Sequence, residues 1–172
     1  MSNGADNNTI GGTAVDAGNV IAGNSDGVQI QFSSTGNVVQ GNLIGVNAAG
    51  TAMLGNLDNG VEVSNNAFGN TIGGAAGGAG NVISGNAMRG VFVTGANTTT
   101  IEGNRIGTDA TGTLDWGNAT HGVDINDSPD NVIRGNLISG NNSNGVILWG
   151  EASDRNAVTG NLIGTNATGT AA

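Results

Sequence analysis

The sequence predicts an all-β fold, a parallel β-solenoid of about six coils with three short strands in each coil. Two observations carry this prediction. A motif in which Asn is followed two residues later by Ile returns six times along 172 residues, and apolar residues alternate with polar ones between the copies. Short repeats indicate stacked coils, and a period of two indicates strands with one buried face. Helices are disfavoured because 33 glycines are spread along the chain, each costing about 1 kcal/mol in a helix relative to alanine.

The motif itself has the form Asn-Val-Ile-Ser-Gly-Asn at residues 81–86, with relatives at 19–24 and 136–141 and shorter ones at 42–45, 104–107 and 161–164. Asparagine suits the corner of a coil because it tolerates positive φ and its amide can bond the coil above and below. These asparagines are predicted to form a structural ladder, and this is favoured over a role in ligand binding. They are Asn19, Asn42, Asn81, Asn104, Asn136 and Asn161.

Two further strand patterns complete each coil, so that every coil has three walls. Asn-x-Ile or Asn-x-Val occurs at residues 8–10, 37–39, 70–72, 131–133 and 156–158, with 99–101 in the same place. Gly-Val-x-Val/Ile/Leu occurs at 27–30, 60–63, 90–93, 122–125 and 145–148. The inward positions are aliphatic and predict the core. Two further Asn columns are expected, one of Asn24, Asn47, Asn86, Asp109, Asn141 and Asn166, the other of Asn8, Asn37, Asn70, Asn131 and Asn156.

Inserts divide the chain into three two-coil super-repeats within a single domain, residues 1–172. A short insert (13–18, 75–80) follows the first strand of alternate coils, and a long one (46–59, 108–121) follows the second strand of the others. The super-repeats start near residues 8, 70 and 131. Because both ends of the sequence fall within a repeat, we expect a segment of a longer repeat protein, or a chain whose end coils stack end to end on further copies.

Composition excludes several partners. The net charge is −9, with four Arg and no Lys, which disfavours nucleic acid and anionic membrane surfaces. No apolar run is long enough to span a membrane, and no charged-then-apolar leader precedes the first repeat. The absence of cysteine excludes disulfides and Cys-ligated metals.

Several of these motifs resemble a known group of proteins. Asn-Thr-Ile-Gly-Gly, Asn-Val-Ile-Ser-Gly-Asn and Ile-Gly-Thr-Asp-Ala-Thr-Gly-Thr at 106–113 are similar to the repeats of right-handed parallel β-helix proteins among bacterial secreted and cell-surface polypeptides. The resemblance covers nearly the whole chain. It implies a right-handed, single-stranded parallel β-helix, the wider pectate-lyase-like superfamily, and a secreted or cell-surface location. That superfamily holds lyases, hydrolases, adhesins and structural spacers, and none of its catalytic motifs is present here.

The outward residues of the Gly-Val-x-Ile wall are the candidate ligand groove, because they change from coil to coil and the long inserts lead into this wall. The candidates are Glu62, Phe92, His121, Asp124, Asn126 and Trp149. His121 could act as a general acid or base, and Trp149 or Trp116 could stack on sugar rings. The alternative is an ordinary solvated face, with Trp116 and Leu114 folded over the apolar outward column and Arg105 paired with a loop acid.

The chemistry that the sequence supports is limited. Asp124, Asp127 and Asp130 form its densest acidic cluster and are the candidate ligands for Ca²⁺, although their spacing fits no established calcium loop. No catalytic residue is assigned. The sequence favours a non-catalytic extracellular structural or adhesive β-helix module whose partners are polysaccharide or further copies of itself. The alternative is a polysaccharide lyase or hydrolase, or a carbohydrate-binding domain, on the Gly-Val-x-Ile wall.

Overall fold

A computed structural model describes residues 1–171, and the elements in this range are seventeen short strands arranged in three parallel sheets. Sheet A contains β1 (Thr9–Gly11), β4 (Val38–Gln40), β7 (Thr71–Gly73), β10 (Thr100–Glu102), β13 (Val132–Arg134) and β16 (Ala157–Thr159). Sheet B contains β2 (Val20–Ile21), β5 (Leu43–Ile44), β8 (Val82–Ile83), β11 (Arg105–Ile106), β14 (Leu137–Ile138) and β17 (Leu162–Ile163). Sheet C contains β3 (Val28–Ile30), β6 (Val61–Ser64), β9 (Val91–Thr94), β12 (Val123–Asn126) and β15 (Val146–Trp149).

The chain visits sheets A, B and C in turn, and each strand pairs in parallel with the strand of the same wall one coil away. This confirms the predicted right-handed parallel β-helix of about six coils. The register places residues of the same type beside each other in neighbouring coils; Ile101, for example, lies between Ile72 and Ile133 in sheet A. Identical positions therefore stack along the whole solenoid. No helix in residues 1–171 is long and apolar enough to cross a membrane.

The core is the set of inward aliphatic side chains from all three walls, as the alternation predicted. Ile44, Ile83, Ile106 and Ile138 of sheet B are fully buried. Burying such a side chain contributes about 1.5–3 kcal/mol, which offsets the entropy lost in ordering a glycine-rich chain.

The predicted asparagine ladder is present, and its hydrogen bonds all run in one direction. The Nδ2 atom of each residue donates to Oδ1 of the next residue toward the C-terminus at 2.9–3.0 Å, and the same Oδ1 accepts the preceding backbone N–H. The third column is also formed, but Thr99 interrupts it, and the buried Thr99 hydroxyl has no hydrogen-bond partner in residues 1–171. The ladders satisfy buried polar groups that would otherwise destabilise the corners.

The prediction for the second asparagine column is wrong at three positions. The continuous ladder runs Asn24, Asn56, Asn86, Asn118 and Asn141, with Nδ2–Oδ1 distances of 2.8–3.3 Å. Asn47, Asp109 and Asn166 instead lie at the start of the loops that follow sheet B, where they hold turns. The ladder positions Asn56 and Asn118 fall near the far end of the long insert, and the residue at its near end, Asn47 or Asp109, was mistaken for them.

Asp109 is the charged member of these turn residues. Its carboxylate accepts four hydrogen bonds, from the backbone N–H groups of Thr111, Thr113 and Leu114 and from the Thr111 hydroxyl. Burial alone would raise the pKa of Asp109, but the four donors outweigh it and lower the pKa to about 2. The carboxylate therefore stabilises its own loop.

The outward apolar column of sheet B is covered differently from the expectation. Leu137 is buried because the tip of the long insert lies against it: a Cβ added at Gly112 would come within 2.6 Å of Leu137 Cδ2. Leu114 remains 55 % exposed, so it does not fold onto this column as expected. Glycine at the tip allows the close approach that a larger residue would prevent.

Candidate functional site

The outward face of sheet C gathers most of the predicted groove residues in two adjacent columns. Because the strands are in register, one column reads Gln29, Glu62, Phe92, Asp124 and Ile147. The neighbouring column reads Ser64, Thr94, Asn126 and Trp149. Residues of successive coils are separated by about 4.8 Å, so these side chains form one continuous surface.

Asp124 is the centre of this surface. Its side chain is only 1 % exposed, and each carboxylate oxygen has a strong donor. Arg89 Nε donates to Oδ2 at 2.6 Å, and Trp149 Nε1 donates to Oδ1 at 2.7 Å. A buried carboxylate requires such partners, because an unpaired one would be strongly destabilising.

The same two contacts fix the aromatic side chains of the face. The Arg89 guanidinium carbon lies 4.2 Å from the centre of the Phe92 ring, a cation–π contact. The indole of Trp149 is held by its bond to Asp124 while 49 % of the residue stays exposed. The site therefore presents an exposed aromatic ring whose orientation is set by a buried ion pair.

Glu62, His121 and Asn126 lie around this centre. Gln29 Nε2 donates to Glu62 Oε1 at 3.3 Å, so the Glu62 carboxylate is hydrogen-bonded to the preceding coil. His121 Nδ1 accepts the Asn144 backbone N–H at 3.2 Å, and Arg89, not His121, is the charged partner of Asp124. Asn126 pairs in register with Trp149, and its buried Oδ1 has no hydrogen-bond partner within residues 1–171.

The structure does not bring the three predicted calcium ligands together. Asp124 is occupied by Arg89 and Trp149, Asp127 Oδ1 accepts the Ala152 backbone N–H, and Asp130 is paired with Arg155. The Arg155 hydrogen bonds lower the pKa of Asp130. Across residues 1–171, no three His, Cys, Asp or Glu side chains are grouped so that they could hold a metal ion. Spacing along the sequence misled because Asp124 lies in β12, whereas Asp127 and Asp130 lie after its end with positive φ, so residues close in sequence point in different directions.

Arg89 is the site residue that sequence reasoning did not find. It precedes Gly90 at the start of a sheet C strand, one coil before Asp124. The signal was available, because a basic residue one coil from an acidic residue on the same wall is a candidate ion pair in a stacked repeat.

A family model described as NosD, periplasmic copper-binding protein, matches residues 78–172, more than half of the chain. The chain belongs to the NosD family. The NosD match spans β8 to β17 and includes Arg89, Phe92, Asp124 and Trp149. Comparisons with curated proteins and with solved structures found no similar chain.

Proposed function

We propose that this chain is a non-catalytic, extracytoplasmic β-helix module that binds polysaccharide along sheet C. The description of the NosD family as periplasmic supports the location. The stacked ladders and aliphatic columns support a rigid frame, since they are repeated in nearly every coil. The changing outward residues of sheet C supply the part of the molecule in which specificity can reside.

The observation that carries the proposal is the fixed, exposed indole of Trp149. Its ring is oriented by Asp124, and Asp124 is itself held by Arg89. An aromatic face that is ordered before the ligand arrives loses little conformational entropy on binding. Indole combines a large apolar face with a polar edge, which suits a sugar ring that has apolar C–H faces and polar hydroxyls.

The polar groups beside Trp149 would give such a ligand its orientation. Thr94 lies next to Asn126 in the same column, and Glu62 lies two coils before Asp124 in the other. A few placed polar groups around an apolar platform are typical of sites for small molecules and sugars. The proposed site therefore extends along at least three coils.

Catalysis is not part of the proposal, because the central carboxylate of this face, Asp124, is engaged by Arg89 and Trp149. A lyase or hydrolase needs an acid or base that can exchange a proton with the substrate. Both oxygens of Asp124 already accept strong hydrogen bonds, and its arginine partner is shared with Phe92. The polysaccharide lyase or hydrolase remains the alternative, with Glu62 and His121 as the groups that a substrate could reach.

The residues present do not fit the copper that the family description names. Copper favours imidazole, thiolate and thioether ligands. The whole chain has one His, no Cys and three Met. His121 already accepts a backbone hydrogen bond on Nδ1 and has no neighbouring ligand set within residues 1–171. Copper binding is therefore not part of the proposed function.

A glycan array followed by calorimetry with the strongest-binding glycan tests the proposal. Trp149→Ala should reduce the affinity by at least about tenfold, since stacked aromatic anchors dominate such contacts. Trp116→Ala is the matched control, because Trp116 is a half-buried indole whose backbone is hydrogen-bonded to Gly85 and Gly107, just after two sheet B strands, and it should leave binding unchanged. The proposal fails if no glycan binds, or if Trp149→Ala binds as well as the unmodified chain while keeping its melting temperature.

A further inference from the structure

Arg105 is out of place in its column. It occupies the outward position of β11, where every other strand of sheet B carries an aliphatic residue: Val20, Leu43, Val82, Leu137 and Leu162. The neighbours Val82 and Leu137 are buried, whereas Arg105 is exposed. A cation in an apolar column lacks the packing energy that a leucine would supply. Packing within the chain therefore does not explain why arginine occupies this position.

The charge of Arg105 is not used within the molecule. The other three arginines of the chain form ion pairs, Arg89 with Asp124, Arg134 with Glu102 and Arg155 with Asp130. Arg105 forms no ion pair with any carboxylate in residues 1–171, contrary to the expected pairing with a loop acid. This occurs in a chain of thirteen acids and net charge −9. The nearby Glu102 is already bound through both oxygens to Arg134.

Two clefts meet at Arg105. One, of about 360 Å³, is lined by Glu102 and by corner and insert glycines such as Gly74 and Gly103. The other, of about 230 Å³, is lined by Arg105 together with Leu137, Leu162 and Ala167. The second cleft therefore places a guanidinium beside an aliphatic surface, and its volume lies below that of typical pockets for drug-sized ligands, so only a smaller molecule would fit.

We propose that this second cleft binds a small monocarboxylate with an aliphatic body. The guanidinium presents planar N–H donors that match a carboxylate through two parallel hydrogen bonds. The aliphatic part of the ligand would lie against Leu162, which is 37 % exposed, beside the edge of the buried Leu137 that lines the cleft. The surrounding negative charge repels polyanions, so a ligand with a single charge is favoured over an acidic polymer.

The proposal is independent of polysaccharide binding, because the cleft lies on sheet B and the tryptophan surface lies on sheet C. Its test uses 4-methylpentanoate and the neutral amide of the same acid, followed by amide chemical shifts of the intact chain. The carboxylate should shift the N–H signals of Gly103, Gly135 and Gly160, which line the cleft, with a Kd of about 1 mM. The neutral amide should bind at least about tenfold more weakly, since a charge-assisted pair is lost.

Variants distinguish a specific site from general attraction of anions. Arg105→Gln should remove the shifts at these glycines, and Arg155→Gln, a change at an exposed arginine that is already paired, should leave them unchanged. Inorganic phosphate and glucuronate serve as probes without an aliphatic body and should bind more weakly than 4-methylpentanoate. Equal shifts with the neutral amide, shifts that persist in Arg105→Gln, or stronger binding of phosphate or glucuronate would each overturn the proposal.

Discussion

The central coils and the last coil carry aliphatic residues at equivalent register positions, but these residues differ in burial. Ile83 in β8 is fully buried, whereas Ile163 at the equivalent position of β17 is 44 % exposed. Val158 in β16 is 39 % exposed, although Ile72, Ile101 and Ile133 of the same wall are fully buried. The first coil behaves similarly, since Ile10 and Ile21 are only partly buried.

The difference shows that a coil does not bury its own core residues. Its side chains are covered by the coils on both sides. The same motif therefore contributes more to the free energy of unfolding in the middle of the solenoid than at either end. The asparagine ladder follows this pattern, because Asn81 has partners above and below while Asn19 has a ladder partner on one side. Substitutions at matched positions can therefore measure what a neighbouring coil contributes.

The largest effect is expected for a charge placed in the central core. Ile83→Asp should lower the free energy of unfolding by at least about 4 kcal/mol, because it removes a buried side chain and leaves an unpaired carboxylate among Ile44 and Ile106. The matched change Ile163→Asp should cost less than about 1 kcal/mol, since that position is open to water. Urea unfolding of both variants measures the difference; equal losses would remove the distinction between the coils.

A smaller effect is expected for the ladder. Asn81→Ala removes the bonds of Asn81 Nδ2 to Asn104 Oδ1 and to the Val39 carbonyl. It also removes the acceptor of the Asn42 backbone N–H, whereas Asn42 Nδ2 keeps its bonds to the carbonyls of Ile10 and Gln40. Unpaired buried polar groups should cost about 2–3 kcal/mol. Asn19→Ala, at the exposed end of the same ladder, should cost less than about 1 kcal/mol. Thermal melting of the two variants checks the order, and a greater loss at Asn19 would contradict it.

The acid dependence of stability should be traceable in part to one loop. The pKa of Asp109 is lowered to about 2 in the folded chain, below its usual value of 3.8. Its contribution is therefore complete above about pH 4 and is lost as the pH falls toward 2. Asp109→Asn, which copies the neutral Asn47 and Asn166 of the equivalent loops, should weaken this dependence. Melting temperatures measured between about pH 2 and pH 5 test this. The prediction is rejected if the melting temperature of Asp109→Asn falls with acid as steeply as that of the unmodified chain.

Substitutions on the exposed face of the last coil should have the smallest effect on the free energy of unfolding. They should have a large effect on self-association. Stacking of the end coils on further copies is one of the two expectations from the repeat pattern, the other being a segment of a longer repeat protein. Val158→Lys combined with Ile163→Lys should reduce association of the chain at high concentration and leave the central coils folded. Leu57→Lys with Leu114→Lys, at two exposed loop positions, is the control. A strictly monomeric unmodified chain in sedimentation would refute the stacking prediction.

The fold could be predicted from the sequence because each coil repeats the same short motifs at the corners and in the strands. The sheet B column that contains Ile83 and Ile106, and the ladder that contains Asn81, have one residue type at one position in every coil, so repetition reveals them directly. The second ladder was misassigned because the long insert separates Asn56 and Asn118 from their strand and places Asn47 and Asp109 in similar sequence surroundings.

The candidate site was less predictable because it depends on side chains that do not repeat. The wall and five of its residues were identified from variation between coils. The Asp124 side chain contacts Arg89 and Trp149, and it does not converge with Asp127 and Asp130. Which residues it contacts depends on the register between strands that are far apart in sequence. That register can be derived only after the inserts have been placed correctly.

Hydrogen exchange of the backbone amides tests most directly the claim that each coil is protected by its neighbours. Sheet B supplies the comparison, because β5, β8 and β11 lie inside the solenoid and β17 lies at its end. We expect amides of the three inner strands to exchange only through global or large sub-global opening, and those of the last coil to exchange much faster through local fraying. Equal protection of β8 and β17 in a monomeric sample, or stronger protection of β17, would contradict the account.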